Sequence, residues 1–162
     1  HPLEGEIANL QVLYGAGFRV IGLTHFFDNE LGGSLHGQGG ADSGLTDFGR
    51  AVVAEMIRKR MVIDLAHASP QMVREVLEIP GARPIISHTG IYSRCATPRN
   101  LPDDLVRAVA DKGGLIGIGY WSDVVAAQLS ALTQALLETG LTEDQITKVM
   151  GDNMMRYLAE VL

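Results

Sequence analysis

The sequence has a single cysteine, Cys95, in 162 residues. An internal disulfide is therefore excluded, nothing points to an oxidising compartment, and a cytoplasmic setting is the default expectation. No apolar run is long enough to cross a bilayer. The chain also lacks a basic block. Its only run, Arg58-Lys59-Arg60, falls where a helix is expected to end and reads as a solvated terminus that complements the helix dipole. With a formal net charge of −6, neither nucleic acid nor a membrane is expected as a partner. There is no initiator Met and no signal segment in the opening HPLEGE, so the natural N-terminus is expected to lie upstream. Fixed-period repeats and low-complexity tracts are absent too.

What is present is globular: 46% apolar and 20% charged residues, enough to bury one core. Short β-branched apolar runs alternate with longer stretches of helical period, the pattern of βα units and a parallel sheet. The spacing predicts a helix over Glu6–Gly15 facing inward with Ile7, Leu10 and Tyr14, then a strand over Arg19–Thr24. A long glycine-rich loop follows from about Phe26 to Gly44, longer than a connection requires and therefore functional or mobile. Thr46 is placed to cap a helix that buries Phe48, Val52, Val53 and Met56. Met61–Leu65 is the second strand. Ser69 and Pro70 suit the N-cap and first position of a helix with a stripe of Met72, Val73, Val76 and Leu77. Pro84–Ser87 is the third strand. Pro102, with Asp103 and Asp104 behind it, opens a helix that Gly113 and Gly114 end. Leu115–Gly119 is the fourth strand. Beyond Tyr120 the alternation stops, and Leu129–Leu137, Glu143–Met150 and Met154–Leu162 all read as helices.

A complete (β/α)8 barrel takes roughly 250 residues. Four strands make about half of one, or else a smaller open α/β sheet.

Three of the five histidines end predicted strands: His25 in GLTH, His67 in DLAH and His88 in ISH. Parallel strands share one carboxyl-end face, so these imidazoles are expected to converge although they are far apart in sequence. Imidazole is the commonest protein ligand of zinc, and convergent histidines suggest a metal-dependent hydrolase. Arg99, in the loop after His88, could hold a substrate carboxylate through two parallel hydrogen bonds, or could be an idle surface residue. Asp64 precedes His67 by an odd number of residues and is expected to face away and serve structure. Asp28 and Glu30 could reach a metal, with solvation the plainer reading. His36 lies at the rim or is a bystander, and His1 reads as a cut end. Cys95 lacks a helix N-terminus to activate it and is set aside as a nucleophile.

The stretches GFRVIGLTHFFDNELGGS, LTDFGRAVVAEMIRKRMVIDLAHAS, PIISHTGIYSRCATPRNLPDDL and GDNMMRYL resemble, in order, the renal or membrane dipeptidase family and its bacterial members. The combination DLAH, SHTG and RNLPDD carries the resemblance. It implies a (β/α)8 TIM-barrel fold, of which this chain holds about four parallel strands with C-terminal helices. It also implies a dipeptide substrate, hydrolysed by a metal-activated water at a centre of two zinc ions. Position by position, His67 and His88 match two histidine ligands of one zinc. His25 matches a histidine that contacts substrate and stabilises the tetrahedral intermediate, and Arg99 matches the arginine that grips the substrate carboxylate. Members are often dimeric, so a homodimer is the assembly implied.

The same resemblance implies a His-x-Asp pair and a bridging glutamate that would lie before His1. It also implies a late Ser-Asp-Phe-Asp-Gly motif, which the passage from WSDVV to AAQLSALTQALL lacks. Asp123 follows the fourth strand and is not that aspartate. The expectation is a single partial barrel domain over 1–162 with a segment missing near 125–131, short of part of its metal cage. Two alternatives stay open: another metal-dependent amidohydrolase on the same barrel, and an inactive fragment lacking the bridging carboxylate. Incomplete closure would leave exposed strand edges.

Overall fold

Four short apolar segments become β1 (Val20–Gly22), β2 (Val62–Asp64), β3 (Ile85–Thr89) and β4 (Leu115–Ile118), a parallel sheet in the order β1-β2-β3-β4. Helix α1 (Ile7–Gly15) precedes β1, and α2 (Asp47–Arg58), α3 (Pro70–Glu78) and α4 (Asp103–Asp111) make the successive crossovers. A short α5 (Glu143–Thr147) follows. The computed structural model describes residues 1–119, 134 and 136–148. Asp123, the expected gap near 125–131 and the expected helix 154–162 lie outside the described residues. Of the expected helix 129–137, residues 134, 136 and 137 are described and are helical. Strands joined in sequence order through helices are successive units of a TIM-type (β/α)8 barrel, here about half of it.

The strands are shorter than their apolar runs because the ladder covers only the central residues of each. Val20, Ile21 and Gly22 pair with Val62, Ile63 and Asp64, whereas β2 meets β3 only where Asp64 pairs with Ile85. Strand β3 is thus staggered toward the carboxyl side, and His88 lies inside it instead of just past its end.

Local chemistry sets the helix starts as expected. Thr46 Oγ1 accepts from Gly49 N at 2.9 Å, and Ser69 Oγ accepts from Met72 N at 3.0 Å with Pro70 in the first turn. Thr142 and Gln145 form a reciprocal capping box on α5. Val52, Val53 and Met56 of α2 and Met72, Val73, Val76 and Leu77 of α3 are buried in the core. A Cβ on Gly49 would stand 1.9 Å from Leu31 O, so only glycine lets α2 seat against the loop before it.

Helix α1 departs from expectation. Of its expected inner face only Leu10 is buried, while Ile7 is 43% exposed. Tyr14 serves a different contact, taking the Arg19 guanidinium 4.0 Å above its ring centroid and Lys59 Nζ at 4.9 Å. The basic run ends α2 as expected but is solvated only in part: Arg58 grips Glu55 at 2.6 and 2.7 Å, and Lys59, its side chain 9% exposed, lies 3.4 Å from it. The hydrogen bonds from Arg58, with Lys59 nearby, hold the Glu55 carboxyl down at about 2. Among the described residues β1 pairs on one side only, and Phe18 and Val20 stand about half exposed along that edge.

Ser69 also donates from its fully buried hydroxyl to Ser43 O, so it caps α3 and pins the glycine-rich loop together. Ser69→Ala is expected to cost about 1–2 kcal/mol, read as a lower urea midpoint at unchanged slope.

Candidate active site

His25, His67 and His88 come together at the carboxyl side of β1, β2 and β3. The reason is register. Gly22, Asp64 and Ile85 are lateral partners across the three strands, and each histidine lies three residues beyond its own member of that row. The ring centroids of His25 and His67 are 4.4 Å apart and those of His67 and His88 4.9 Å apart. His36 joins them, 5.6 Å from His67, and Phe26 packs edge-on against His25 at 4.3 Å.

The imidazoles differ in setting. His25 and His36 are exposed, His88 is half-buried and His67 is buried. The Nε2 atoms of His67 and His88 face each other at 2.9 Å. Nδ1 of His88 lies 2.9 Å from Ser87 Oγ, whereas Nδ1 of His67 is buried without a hydrogen-bond partner. His67 also adopts a left-handed backbone, φ 67°.

Arg99 is half-buried beside the cluster, its Nη2 donating to His88 O at 2.8 Å. Burial lowers its pKa below the ordinary arginine value, and the Asp64 carboxylate opposes that. Burial, with the Arg99 charge behind it, pushes His67 from 6.5 down to about 4 and lowers His36 and His88 as well. At neutral pH His36, His67 and His88 therefore present neutral imidazoles next to the Arg99 positive charge, a setting that attracts an anionic group. Leu35, His67, Arg99, Asn100 and Leu101 line a cleft open to solvent.

The remaining acids stay out of the cluster. Asp64 is structural, as expected: its Oδ1 accepts from Ala66 N and Ser87 N, each at 3.0 Å, and so ties β2 to β3. Asp28 is exposed, as the solvated reading has it, and also serves as a loop brace. Its two oxygens accept from Ser34 N at 2.8 Å and Gly39 N at 2.9 Å, and these backbone bonds lower its pKa. Glu30 lies 4.0 Å from His1 Nδ1. His1 is no loose end, because its Nε2 meets Gly22 O at 3.0 Å and its side chain is 7% exposed. The sequence reading missed Phe26, Ser34 and Ser87. Phe26 and Ser87 adjoin site histidines in the chain, and that adjacency was the available signal. Ser34 carried none beyond its place in an over-long loop.

Among the described residues no group of three or more His, Cys, Asp and Glu side chains is arranged to hold a metal ion. His67 and His88 fit as two ligands of one ion. Their separation is slightly below the roughly 3.3 Å that two imidazoles keep on a tetrahedral zinc with Zn–N of about 2.0–2.1 Å. Metal at both Nε2 atoms puts the ring protons on Nδ1, where Ser87 Oγ can accept from His88. The described residues bring no carboxylate into position to bridge to a second ion.

A parallel half-barrel that gathers imidazoles and a guanidinium at the carboxyl ends of its strands has the layout in which barrel enzymes place their active sites. The chain belongs to the membrane dipeptidase family, peptidase family M19, whose family model matches residues 1–131. That family is one of metallopeptidases, so the expected class of hydrolase and the use of metal are properties of its members. An amidohydrolase from Pseudomonas aeruginosa superposes with a TM-score of 0.73 at 22% identity, over 99% of this chain and 70% of its own. A dipeptidase described as a metallopeptidase of family M19 gives 0.70 at 18%, over 95% and 61%. A metallopeptidase from Rhodobacter sphaeroides, liganded with a phosphinate mimic of the dipeptide L-Ala-D-Ala, gives 0.64 at 18%, over 98% and 60%. The chain thus spans between three fifths and seven tenths of their lengths, and the shared fold extends across nearly all of it.

The lowered histidines make stability depend on pH. His67 binds its proton at about 4 when folded and near 6.5 when unfolded, so between those values the unfolded state holds more protons. Its contribution is present above 6.5 and is lost as pH falls toward 4. Urea melts of the metal-free chain are expected to show falling stability across that window, with a shallower slope in His67→Gln.

Proposed function

We propose that this chain carries the zinc-binding histidine pair and the carboxylate-gripping arginine of a dipeptidase that hydrolyses the peptide bond of dipeptides. The observation that carries this reading is the meeting of the His67 and His88 Nε2 atoms at 2.9 Å with Arg99 bonded to the His88 backbone beside them. Family membership and the dipeptide mimic bound by the Rhodobacter sphaeroides metallopeptidase support the substrate class.

In this reading His67 and His88 hold zinc as neutral imidazoles, a state that burial and Arg99 already favour. When bound, zinc supplies Lewis-acid polarisation of the scissile carbonyl and lowers the pKa of the attacking water. A second ion, expected in the complete family site, requires donors that the described residues do not supply. Arg99 receives the free carboxylate of the substrate, and its bond to His88 O fixes the distance between that carboxylate and the histidine pair. His25, exposed and in ring contact with His67, donates a hydrogen bond to the oxyanion as the carbonyl becomes tetrahedral. Leu35 lines the cleft, and Phe26 packs edge-on against His25 beside the histidines.

A second reading, hydrolysis of a neutral cyclic amide, is favoured by the superposition on an amidohydrolase with a TM-score of 0.73. Arg99 separates the two. Removing one charge-assisted hydrogen bond costs about 1.5–3 kcal/mol, so Arg99→Met is expected to raise KM for dipeptides at least tenfold while leaving a neutral amide unaffected. The His67→Ala, His88→Ala double variant is expected to lose zinc in elemental analysis and to lose dipeptide hydrolysis. Full activity in that variant overturns the assignment.

A further inference from the structure

Nδ1 of His67 has no partner to orient the ring. Histidines that serve a metal or a reaction normally have the second ring nitrogen held, as Ser87 Oγ holds Nδ1 of His88. Nδ1 of His67 is buried with no hydrogen-bond partner, and yet the ring keeps aromatic contacts with His25, Phe26, His36 and His88 at once. With nothing holding Nδ1, the ring depends on those contacts and on its backbone, which is in the left-handed region, φ 67°, costly for any residue with a Cβ. Such a conformation persists only where the surroundings over-determine it.

Those surroundings are the glycine-rich loop. Residues 33–35 run antiparallel to 67–69: Leu35 N donates to His67 O at 2.9 Å and Ser69 N donates to Gly33 O at 3.0 Å, with Ser34 facing Ala68 across the bridge. Ser34, fully buried, sits between these two bonds and turns its hydroxyl the other way, donating to His25 O at 2.5 Å. Its own N–H donates to Asp28 Oδ1 at 2.8 Å. One segment thus grips the backbone carbonyls of both histidines, one through a main-chain N–H and the other through the Ser34 hydroxyl.

We propose that Ser34 is a positioning residue of the histidine site, clasping the loops after β1 and β2 so that His25 and His67 keep their spacing and His67 its strained backbone. Asp28 is the outer brace of the clasp. This rests on the reading that His25 and His67 belong to the active site, but its test uses the metal-free chain without substrate and does not depend on turnover.

The experiment is NMR on the whole chain carrying Ser34→Ala, Ser34→Thr or Asp28→Asn. Ser34→Ala is expected to abolish the ring-to-ring cross-relaxation between His25 and His67. It should also speed exchange of the Leu35 amide by about fivefold or more, the weight of one lost hydrogen bond. Exchange at Val76 in α3 should be unchanged, and Ser34→Thr, which keeps the hydroxyl, should restore the ring contact. Asp28→Asn, at an exposed position and with the backbone intact, should produce a weaker form of the same change. If Ser34→Ala keeps the His25–His67 contact and the Leu35 protection, the clasp is wrong. If Ser34→Ala unfolds the chain, as loss of protection at Val76 would reveal, Asp28→Asn decides, and a wild-type ring contact there overturns the proposal.

Discussion

Everything at the site depends on one row of lateral pairing, Gly22 against Asp64 against Ile85. Parallel strands give their carboxyl ends a common side, but only register decides whether residues beyond those ends stand level. Here each strand carries a histidine the same distance past the row. The Asp64 carboxylate, accepting from Ala66 N and Ser87 N, reinforces this where β2 and β3 share a single ladder pair. A slip of one residue between β2 and β3 would turn the His88 side chain to the other face of the sheet and separate it from His67.

The electrostatics of the cluster follow from that packing. Bringing a guanidinium and several imidazoles into half-buried space suppresses protonation of the rings. Neutral rings are what a metal requires of histidine, and a fixed positive charge is what a substrate carboxylate requires of its partner. The same positive charge works against a cation at the rings, so strong metal binding here calls for carboxylates. Asp64 is the acid that most directly moderates Arg99, and its oxygen is committed to backbone N–H groups.

The loop between β1 and α2 resolves the question its length posed. It is neither slack nor a simple connection: Asp28 gathers its turns, Ser69 pins Ser43, and Gly33, where a Cβ would stand 2.2 Å from Ser43 O, lets its strands close. It carries Phe26 and His36 to the mouth of the site and lies across the histidine backbones beneath them.

Much of this was legible in the sequence, because it depends on local chemistry. Thr46, Ser69-Pro70 and Gly113-Gly114 mark helix ends through bonds and dihedrals made within a few residues. The βα alternation follows from which runs can be buried on both faces, and the ordered motifs around His67, His88 and Arg99 led to the family. What lay beyond sequence was whatever depended on lateral geometry. The stagger of β3, the outward Ile7, the inward His1, the brace at Asp28 and the clasp at Ser34 all involve partners distant along the chain. No local pattern encodes where another strand's carbonyl will stand. The sequence by itself determined which residues could do chemistry and which segments would carry them. The tertiary structure alone decided that three histidines stand level and that one loop segment holds the backbone carbonyls of two of them, because hydrogen-bond register between strands exists only once the sheet has formed.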